Sequence, residues 1–290
     1  MIEMRFINFG SLNIDHVFCV EHIILEGETL KASSVMQNIG GKGLNQSIAL
    51  ARAGGRVCHA GMIGADGLQL KLYLEENGVD TSLIKIADVM TGTAFIQVTP
   101  EGKNSIVVSG GANQKTDDAY VDFCFEHLSA DDVLLLQNEI SNIPYIMKRA
   151  REKGMTVVFN PSPADNVREY PLECVDMFIL NEHECRTICN SVEIGKMHEM
   201  FPNSKILLTM GERGAVFSDG GSEVFEKAES VDAVDTTGAG DTFTGYFMNE
   251  YFKTADVSGA LKAASHAAAI AVTRSGAAQS IPTRDEVSGV

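Results

Sequence analysis

The residues best suited to chemistry lie at positions 233–247, where the chain reads AVDTTGAGDTFTGYF. Aromatic residues recur every fourth position further along, which predicts a helix that begins within Gly238–Asp241. The small residues Gly238, Ala239 and Gly240 would let a ligand approach the backbone closely. Because the first N–H groups of a helix lack intrahelical partners and lie at the positive end of its dipole, this segment predicts an anion site.

Asp241 follows the three small residues directly. A carboxylate beside an anion site repels the anion, but it could accept a proton from a hydroxyl group that attacks a phosphate. The alternative is an acidic residue favoured at a helix N-terminus by the dipole. Local sequence leaves both interpretations open.

Two other glycine-rich nucleotide motifs are excluded by spacing. Gly41-Lys42 is followed by Gly43 rather than Ser or Thr, so it is not a Walker A loop. No G-x-G-x-x-G follows a predicted strand, which argues against an NAD-dependent oxidoreductase.

Strand-like and helix-like segments alternate around these motifs. Short apolar runs such as Val133–Gln137 predict strands buried on both faces, and Ile143–Lys153 predicts one of the intervening helices. This alternation is typical of an α/β fold with a mainly parallel central sheet flanked by helices, here a single domain over residues 1–290. Two segments without helices, about 16–37 and 92–109, predict a small β-sheet that acts as a lid over the strand ends.

The composition of the chain limits the kinds of partner that it is expected to bind. The 290-residue chain carries a net charge of −16, which disfavours binding to nucleic acid or to anionic membranes. The six cysteines include no C-x-x-C pair, so reduced thiols are expected rather than a zinc site. The N-terminal residues do not have the pattern of a signal peptide, and a cytoplasmic enzyme is expected.

The segment AVDTTGAGDTF resembles the C-terminal signature of the ribokinase (PfkB) family of carbohydrate kinases. Further segments resemble that family in the same order along nearly the whole chain: GSLNIDH at 10–16, IGGKGLNQSIALARAG at 39–54, GGAN at 110–113, QNE at 137–139, NPSPA at 160–164, NEHE at 181–184, TMGERG at 209–214 and HAAAIAVTRSGAAQSIP at 266–282. The resemblance implies a ribokinase-like three-layer fold and transfer of a phosphoryl group from ATP to a sugar hydroxyl.

The resemblance also implies roles for individual residues. Asp241 would be the catalytic base, assisted by the backbone of Gly238, Ala239 and Gly240. The residues that would hold the sugar are Asn13, Asp15, Gly41, Lys42, Asn45 and Glu139. Without the family, these would be interpreted as turn, loop and helix-start residues.

The nucleotide and its ions would bind a second set of residues. Asn181 and Glu184 would organise phosphate and Mg²⁺, although Asn181 could equally cap the next helix. The residues near the nucleotide itself would be Thr209, Gly211, Gly214 and Gly240, with Ser265 or His266 at the adenosine. A potassium ion would be surrounded by backbone oxygens of Asp235, Thr237, Ala271, Arg274 and Gly276 and by the side chain of Ser280.

The implied substrate is ribose, phosphorylated on its primary hydroxyl, with deoxyribose, fructose or a nucleoside as alternatives. A catalytically silent binding protein is the alternative from another class. The resemblance further implies a homodimer built through the lid sheets, where strand edges would otherwise be exposed.

Overall fold

The structure is a computed structural model that describes residues 4–289. In this part of the chain thirteen strands form two sheets: β1 (Phe6–Phe9), β2 (Asn13–Cys19), β3 (Ser34–Gly40), β4 (Val57–Ile63), β5 (Asp80–Ile86), β6 (Gly92–Val98), β7 (Asn104–Ser109), β8 (Val133–Gln137), β9 (Thr156–Asn160), β10 (Met177–Asn181), β11 (Lys205–Thr209), β12 (Ala215–Ser218) and β13 (Glu223–Glu226). The same residues contain nine α-helices: α1 (Lys42–Arg52), α2 (Leu68–Glu76), α3 (Asp118–Phe125), α4 (Ile143–Lys153), α5 (Glu182–Cys189), α6 (Ile194–Met200), α7 (Ala239–Thr254), α8 (Val257–Val272) and α9 (Arg284–Ser288).

The main sheet has the strand order β13-β12-β11-β10-β9-β8-β1-β4-β5. Its strands are parallel except for β12 and β13, which pair antiparallel at one edge. Every residue of β8 is buried, as expected for a central strand covered by helices on both faces. The predicted α/β class and the mainly parallel sheet are therefore confirmed.

Helices cover the main sheet on both sides. The core on one side contains residues of α1, α2, α7 and α8, and the core on the other side contains residues of α3, α4, α5 and α6. On α7, Phe243, Phe247 and Tyr251 stack in sequence, and the last two also contact Phe217 of β12. Helix α7 begins at Ala239, inside the predicted interval, because Gly238 takes a left-handed conformation with φ of 75°.

The second, four-stranded sheet has the order β3-β2-β6-β7 and forms the lid. Its first two strands begin earlier and end later than the predicted 16–37 segment, since they start at Asn13 and end at Gly40, with a loop between Val20 and Ser33. The sequence did not predict that β2 starts at Asn13, because Asn13 and Asp15 are polar. In the structure these residues pair with Gly92 and Ala94 of β6. None of the helices in residues 4–289 has the length and apolar character needed to span a membrane.

Candidate active site

The candidate site lies where the parallel strands of the main sheet end. Strands β8, β9, β10 and β11 finish at this edge, and helices α1 and α7 begin there. One cleft is lined by residues of β9, β10, β11, α1, α5 and α7 and of the loops beside them, among them Lys42, Asn160, Ser162, Asn181, Glu184, Thr209, Gly238, Gly240 and Asp241. The fold thus gathers predicted sugar, nucleotide and base residues that are far apart in sequence.

Asp241 lies in the first turn of α7 and is 7% exposed. Its Oδ2 accepts a hydrogen bond from Asn45 Nδ2 at 2.9 Å, and its Oδ1 accepts one from Gln46 Nε2 at 2.9 Å. Both donors belong to α1, so the carboxylate is held across the junction of the two helices. The dipole of α7 and these side-chain donors act on the same carboxylate, so the two interpretations of Asp241 are compatible.

Lys42 supplies positive charge in this strongly acidic protein. The negative charge of Asp241 raises the pKa of Lys42 despite the opposing effect of burial, and Glu139 and Glu184 act in the same direction. The ammonium group therefore stays protonated inside the cleft and can attract a phosphate. Gly41, just before it, takes φ of 98° at the start of α1.

The predicted sugar residues Asn13 and Asp15 lie on β2 of the lid. Asn13 Oδ1 accepts a hydrogen bond from Asn113 Nδ2 at 2.8 Å, which leaves the Asn13 amide hydrogens available. Burial, and then the nearby Glu139, raise the pKa of Asp15 to about 7. A Cβ atom at Gly40 would lie 2.0 Å from Asp15 Oδ2, so only glycine leaves room for this carboxylate.

Glu139 follows β8 and faces the start of α1. Its Oε2 accepts hydrogen bonds from the Ser11 hydroxyl and from the Lys42 backbone N–H, the latter at 3.0 Å. Burial raises the pKa of Glu139, although Lys42 opposes the effect. Asn45 differs from its neighbours because its buried Oδ1 has no hydrogen-bond partner among residues 4–289.

The predicted phosphate and Mg²⁺ residues form the N-terminus of α5. Asn181 Oδ1 accepts from the Glu184 backbone N–H at 3.0 Å, and Glu184 Oε2 accepts from the Asn181 N–H at 2.8 Å. Asn181 is therefore a helix cap, a role that can coexist with contact to a ligand. Burial raises the pKa of Glu184, whose side chain also lines the cleft.

The predicted nucleotide residues beyond α5 occupy two places. Thr209 ends β11 beside Asn181 of β10, and the turn after it contains Gly211 and Gly214 with positive φ. Ser265 and His266 lie on α8, the helix that packs against α7. His266 Nδ1 bonds to the Glu229 carboxylate at 2.9 Å, whereas Ser265 is buried.

The predicted cation residues belong to two segments that lie side by side, the loop before α7 and the end of α8 with the loop after it. Asp235 joins them, because its Oδ1 accepts from the Thr237 N–H at 2.9 Å and its Oδ2 accepts from the Gly276 N–H at 2.9 Å. Burial raises the pKa of Asp235, but these hydrogen bonds leave it below its ordinary value. The remaining residues of the set, Ala271, Arg274 and Ser280, lie in the second of these segments, and the Ser280 hydroxyl is buried.

Several polar residues at the site had no predicted role, and four of them carry side-chain amides: Gln46, Asn113, Gln137 and Asn160. Each contacts a predicted site residue directly or through one amide group. The sequence could have pointed to these four residues, because each belongs to a segment that resembles the family: GGKGLNQ, GGAN, QNE and NPSPA. The sequence does not reveal which side chains meet, since the partners lie between 91 and 195 residues apart.

Comparisons with known proteins agree with this architecture. The model of the pfkB family carbohydrate kinases matches residues 5–284. The chain is 36% identical to a ribokinase of Haemophilus influenzae, over 96% of this chain and 95% of that protein. It is similar to the structure of a ribokinase from Cryptococcus neoformans var. grubii in complex with ADP, with a TM-score of 0.85, 34% identity and 99% of both chains covered. It is also similar to an Arabidopsis thaliana ribokinase complexed with ribose and ATP, with a TM-score of 0.88 and 25% identity, over 99% of this chain and 98% of that one. The chain belongs to the pfkB family of carbohydrate kinases.

Proposed function

We propose that this chain is an ATP-dependent kinase that phosphorylates the 5-hydroxyl of D-ribose and releases ribose 5-phosphate and ADP. The observation that carries the proposal is the position of Asp241. Its buried carboxylate is held by two amide donors at the start of α7, in a cleft that also contains Lys42, Asn181 and Glu184. The relatives named ribokinase, and the structures of such proteins with ADP or with ribose and ATP, support the substrate pair.

The sugar would bind between the lid and the start of α1. Asp15 has no hydrogen-bond donor among the described residues, so its carboxylate is free to accept hydrogen bonds from sugar hydroxyls. Asn13 has free amide hydrogens and Asn45 a free amide oxygen, which suits hydroxyl groups that both donate and accept. Gly41, Lys42 and Glu139 complete the sugar set.

In the reaction, Asp241 accepts the proton of the primary hydroxyl of the sugar. The hydroxyl oxygen then forms a bond to the γ-phosphorus of ATP, and the bond from that phosphorus to the bridging oxygen of ADP breaks. The backbone N–H groups of Gly238, Ala239 and Gly240 stabilise the negative charge on the transferring group. Lys42 adds a fixed positive charge beside them.

Mg²⁺ fits the oxygen-rich N-terminus of α5. Asn181 and Glu184 would hold the ion with the phosphates, and Glu184 provides a carboxylate that lines the cleft. When bound, Mg²⁺ neutralises charge on the phosphate oxygens. Thr209 and the turn that contains Gly211 and Gly214 would border the nucleotide, with Ser265 or His266 toward the adenosine.

A potassium ion fits the paired loops beside the anion site. Potassium prefers oxygen ligands, and the donors proposed here are five backbone carbonyls and one hydroxyl. The loops are already joined by hydrogen bonds from Thr237 and Gly276 to Asp235. Gly238 follows Thr237 directly, so an ion bound to Asp235 and Thr237 would hold the anion site in its active shape.

A second copy of the chain would cover one face of the lid. Residues Met36, Val17, Ile96 and Ile106 are aligned across all four strands of this sheet. Met36 is 49% exposed and Ile106 is 52% exposed, and the same face carries Asp15 further along β2. An apolar row of this kind is costly to leave in water, and a dimer through the lids would bury it.

The first experiment measures ADP release from Mg-ATP with ribose, deoxyribose, fructose and a nucleoside, each with and without potassium. We expect the highest kcat/KM with ribose and a rate increase with potassium. In the same assay Asp241→Asn should lower kcat by ~10²–10⁴ while nucleotide affinity is retained, because only proton acceptance is lost. The exposed Asp232 in the preceding loop provides the matched control, Asp232→Asn. Near-normal turnover of Asp241→Asn would refute the base assignment, and preference for another sugar would refute the substrate.

A further inference from the structure

A chain of buried amide groups leads away from the base. Gln46 Nε2 donates to Asp241 Oδ1 at 2.9 Å and to Asn160 Oδ1 at 2.9 Å. Gln46 Oε1 accepts from Gln137 Nε2 at 2.7 Å, and the same Gln137 nitrogen donates to Asn8 Oδ1 at 3.0 Å. Asn8 and Gln46 are 0% exposed and Gln137 is 1% exposed. Burial of so many polar groups favours one specific arrangement, because a buried donor or acceptor without a partner is costly. In this chain of amides Gln137 Oε1 has no hydrogen-bond partner among the described residues.

The direction of this amide chain is set at its far end by a backbone carbonyl. Asn8 Nδ2 donates to the Gly43 carbonyl oxygen at 2.8 Å, and a carbonyl can only accept. Asn8 must therefore turn its Oδ1 toward Gln137, so Gln137 presents its NH₂ group. Gln46 must then present its Oε1 to Gln137, which turns the Gln46 NH₂ group toward Asp241.

A second carbonyl imposes the same orientation from the other side. Asn160 Nδ2 donates to the Ile179 carbonyl oxygen at 2.8 Å, so Asn160 turns its Oδ1 toward Gln46. Asn160 Oδ1 can only accept a hydrogen bond, so Gln46 must turn its NH₂ group toward Asn160 as well. Two independent backbone acceptors, one on α1 and one on β10, thus prevent Gln46 from turning its oxygen toward Asp241.

Gln46 is fully buried and has no N–H group left for a ligand. Its two N–H groups go to Asp241 and Asn160, and its oxygen accepts from Gln137. Asn45, the other donor to Asp241, keeps an unpaired oxygen and so can contact a substrate. The two amides that donate to Asp241 therefore differ. Asn45 can also contact a substrate, whereas Gln46 contacts only protein side chains.

We propose that Gln46 is a positioning residue for the phosphoryl transfer, which orients the Asp241 carboxylate through a donor whose direction is fixed by Asn8, Gln137 and Asn160. The proposal rests on the proposed function, because it assumes that Asp241 accepts the substrate proton. A carboxylate that loses a fixed donor on one oxygen rotates more freely and binds a proton more tightly. Loss of the Gln46 donor should therefore change kcat and the pH dependence of kcat, and it should leave the affinity for the sugar nearly unchanged.

The test compares the pH profiles of kcat for the wild type, Gln46→Met and Gln46→Glu. Met has nearly the length of Gln but no donor, so the acidic limb should move upward by about one to two pH units, with a lower plateau kcat. The KM for ribose should change less than twofold. Gln46→Glu keeps the acceptor for Gln137 but places a second carboxylate beside Asp241, so its acidic limb should move further upward.

The matched control is Asn249→Ala, which removes a buried amide from α7, the helix that carries Asp241. Asn249 Nδ2 donates to the Ala53 carbonyl at 2.8 Å, and within residues 4–289 Asn249 has no hydrogen bond to Asp241. This variant should lower the free energy of unfolding without moving the acidic limb of the kcat pH profile. If Gln46→Met does not fold, Gln46→Glu alone provides the comparison.

The results separate the two proposals. An unmoved acidic limb in active, folded Gln46 variants would refute the positioning role and leave the kinase assignment intact. Absence of phosphoryl transfer by the wild type to every sugar tested would refute the proposed function instead. If the wild type prefers another sugar, the same pH comparison is made with that sugar.

Discussion

Replacing Asp15 by Asn should stabilise the free protein at alkaline pH while impairing its reaction with ribose. The carboxylate is partly buried near Glu139 and receives no hydrogen bond from the described residues, so its ionised form is disfavoured. Its pKa rises from 3.8 to about 7. At about 1.4 kcal/mol per pH unit, this rise of about three units sets a ceiling of about 4 kcal/mol on the cost of the charge. Because Asp15 is only partly buried, screening by water should reduce the measured gain to about 1–2 kcal/mol.

The sign of the pH dependence follows from proton binding. Below pH 3.8 the carboxyl is protonated in both the folded and the unfolded state, so Asp15→Asn should have no effect. Between pH 3.8 and about 7 only the unfolded state ionises, so the cost to the wild type grows with pH. Above about pH 7 the cost is complete, and the variant should show its full advantage.

Urea unfolding of the wild type and of Asp15→Asn at pH 4 and pH 8 measures this difference, and the exposed Asp88→Asn is the control. In the kinase assay, loss of hydrogen bonds to a charged acceptor should lower kcat/KM for ribose by roughly 10- to 100-fold. In the wild type, the KM for ribose should rise as the pH falls below about 7, because the carboxylate that accepts from the sugar becomes protonated. A variant that is less stable than the wild type at pH 8 would refute the reasoning.

Two further predictions concern the lid. Gly40→Ala should lower kcat/KM for ribose at least tenfold, with unchanged nucleotide affinity, because its Cβ would lie 2.0 Å from Asp15 Oδ2. Gly195→Ala, whose Cβ would meet no atom within 4 Å, is the control, and equal kinetics in the two variants would contradict the argument. Ile106→Lys should convert a dimer to monomers in sedimentation velocity, because it places a charge in the apolar row of the lid. Val107→Lys alters the opposite face and should leave the dimer intact, so an unchanged mass for Ile106→Lys would argue against the proposed interface.

Local sequence was sufficient to predict the central strands and the start of α7. The residues from Val133 to Leu136 are continuously apolar, and such a run is typical of a strand covered on both faces. Gly238 precedes the periodic aromatic residues, and its φ of 75° begins the helix where predicted. The start of the lid was harder to predict from the sequence, because the residues around Asn13 and Asp15 do not show the apolar–polar alternation of an ordinary strand. They are held in β2 by pairing with β6, whose residues come about eighty positions later in the sequence.

The resemblance to the family named the residues that the fold then gathered at one edge of the sheet. It did not reveal how the Asp241 carboxylate is held. Asp241 meets Gln46 across 195 residues, and Gln46 meets Gln137 across 91 residues, so no local pattern encodes either contact. The direction of each amide depends on backbone carbonyls at Gly43 and Ile179, which only the packed strands and α1 bring into place. The raised pKa of Asp15 likewise exists only after the lid buries the carboxylate near Glu139, since desolvation is a property of the folded surroundings and not of the residue itself.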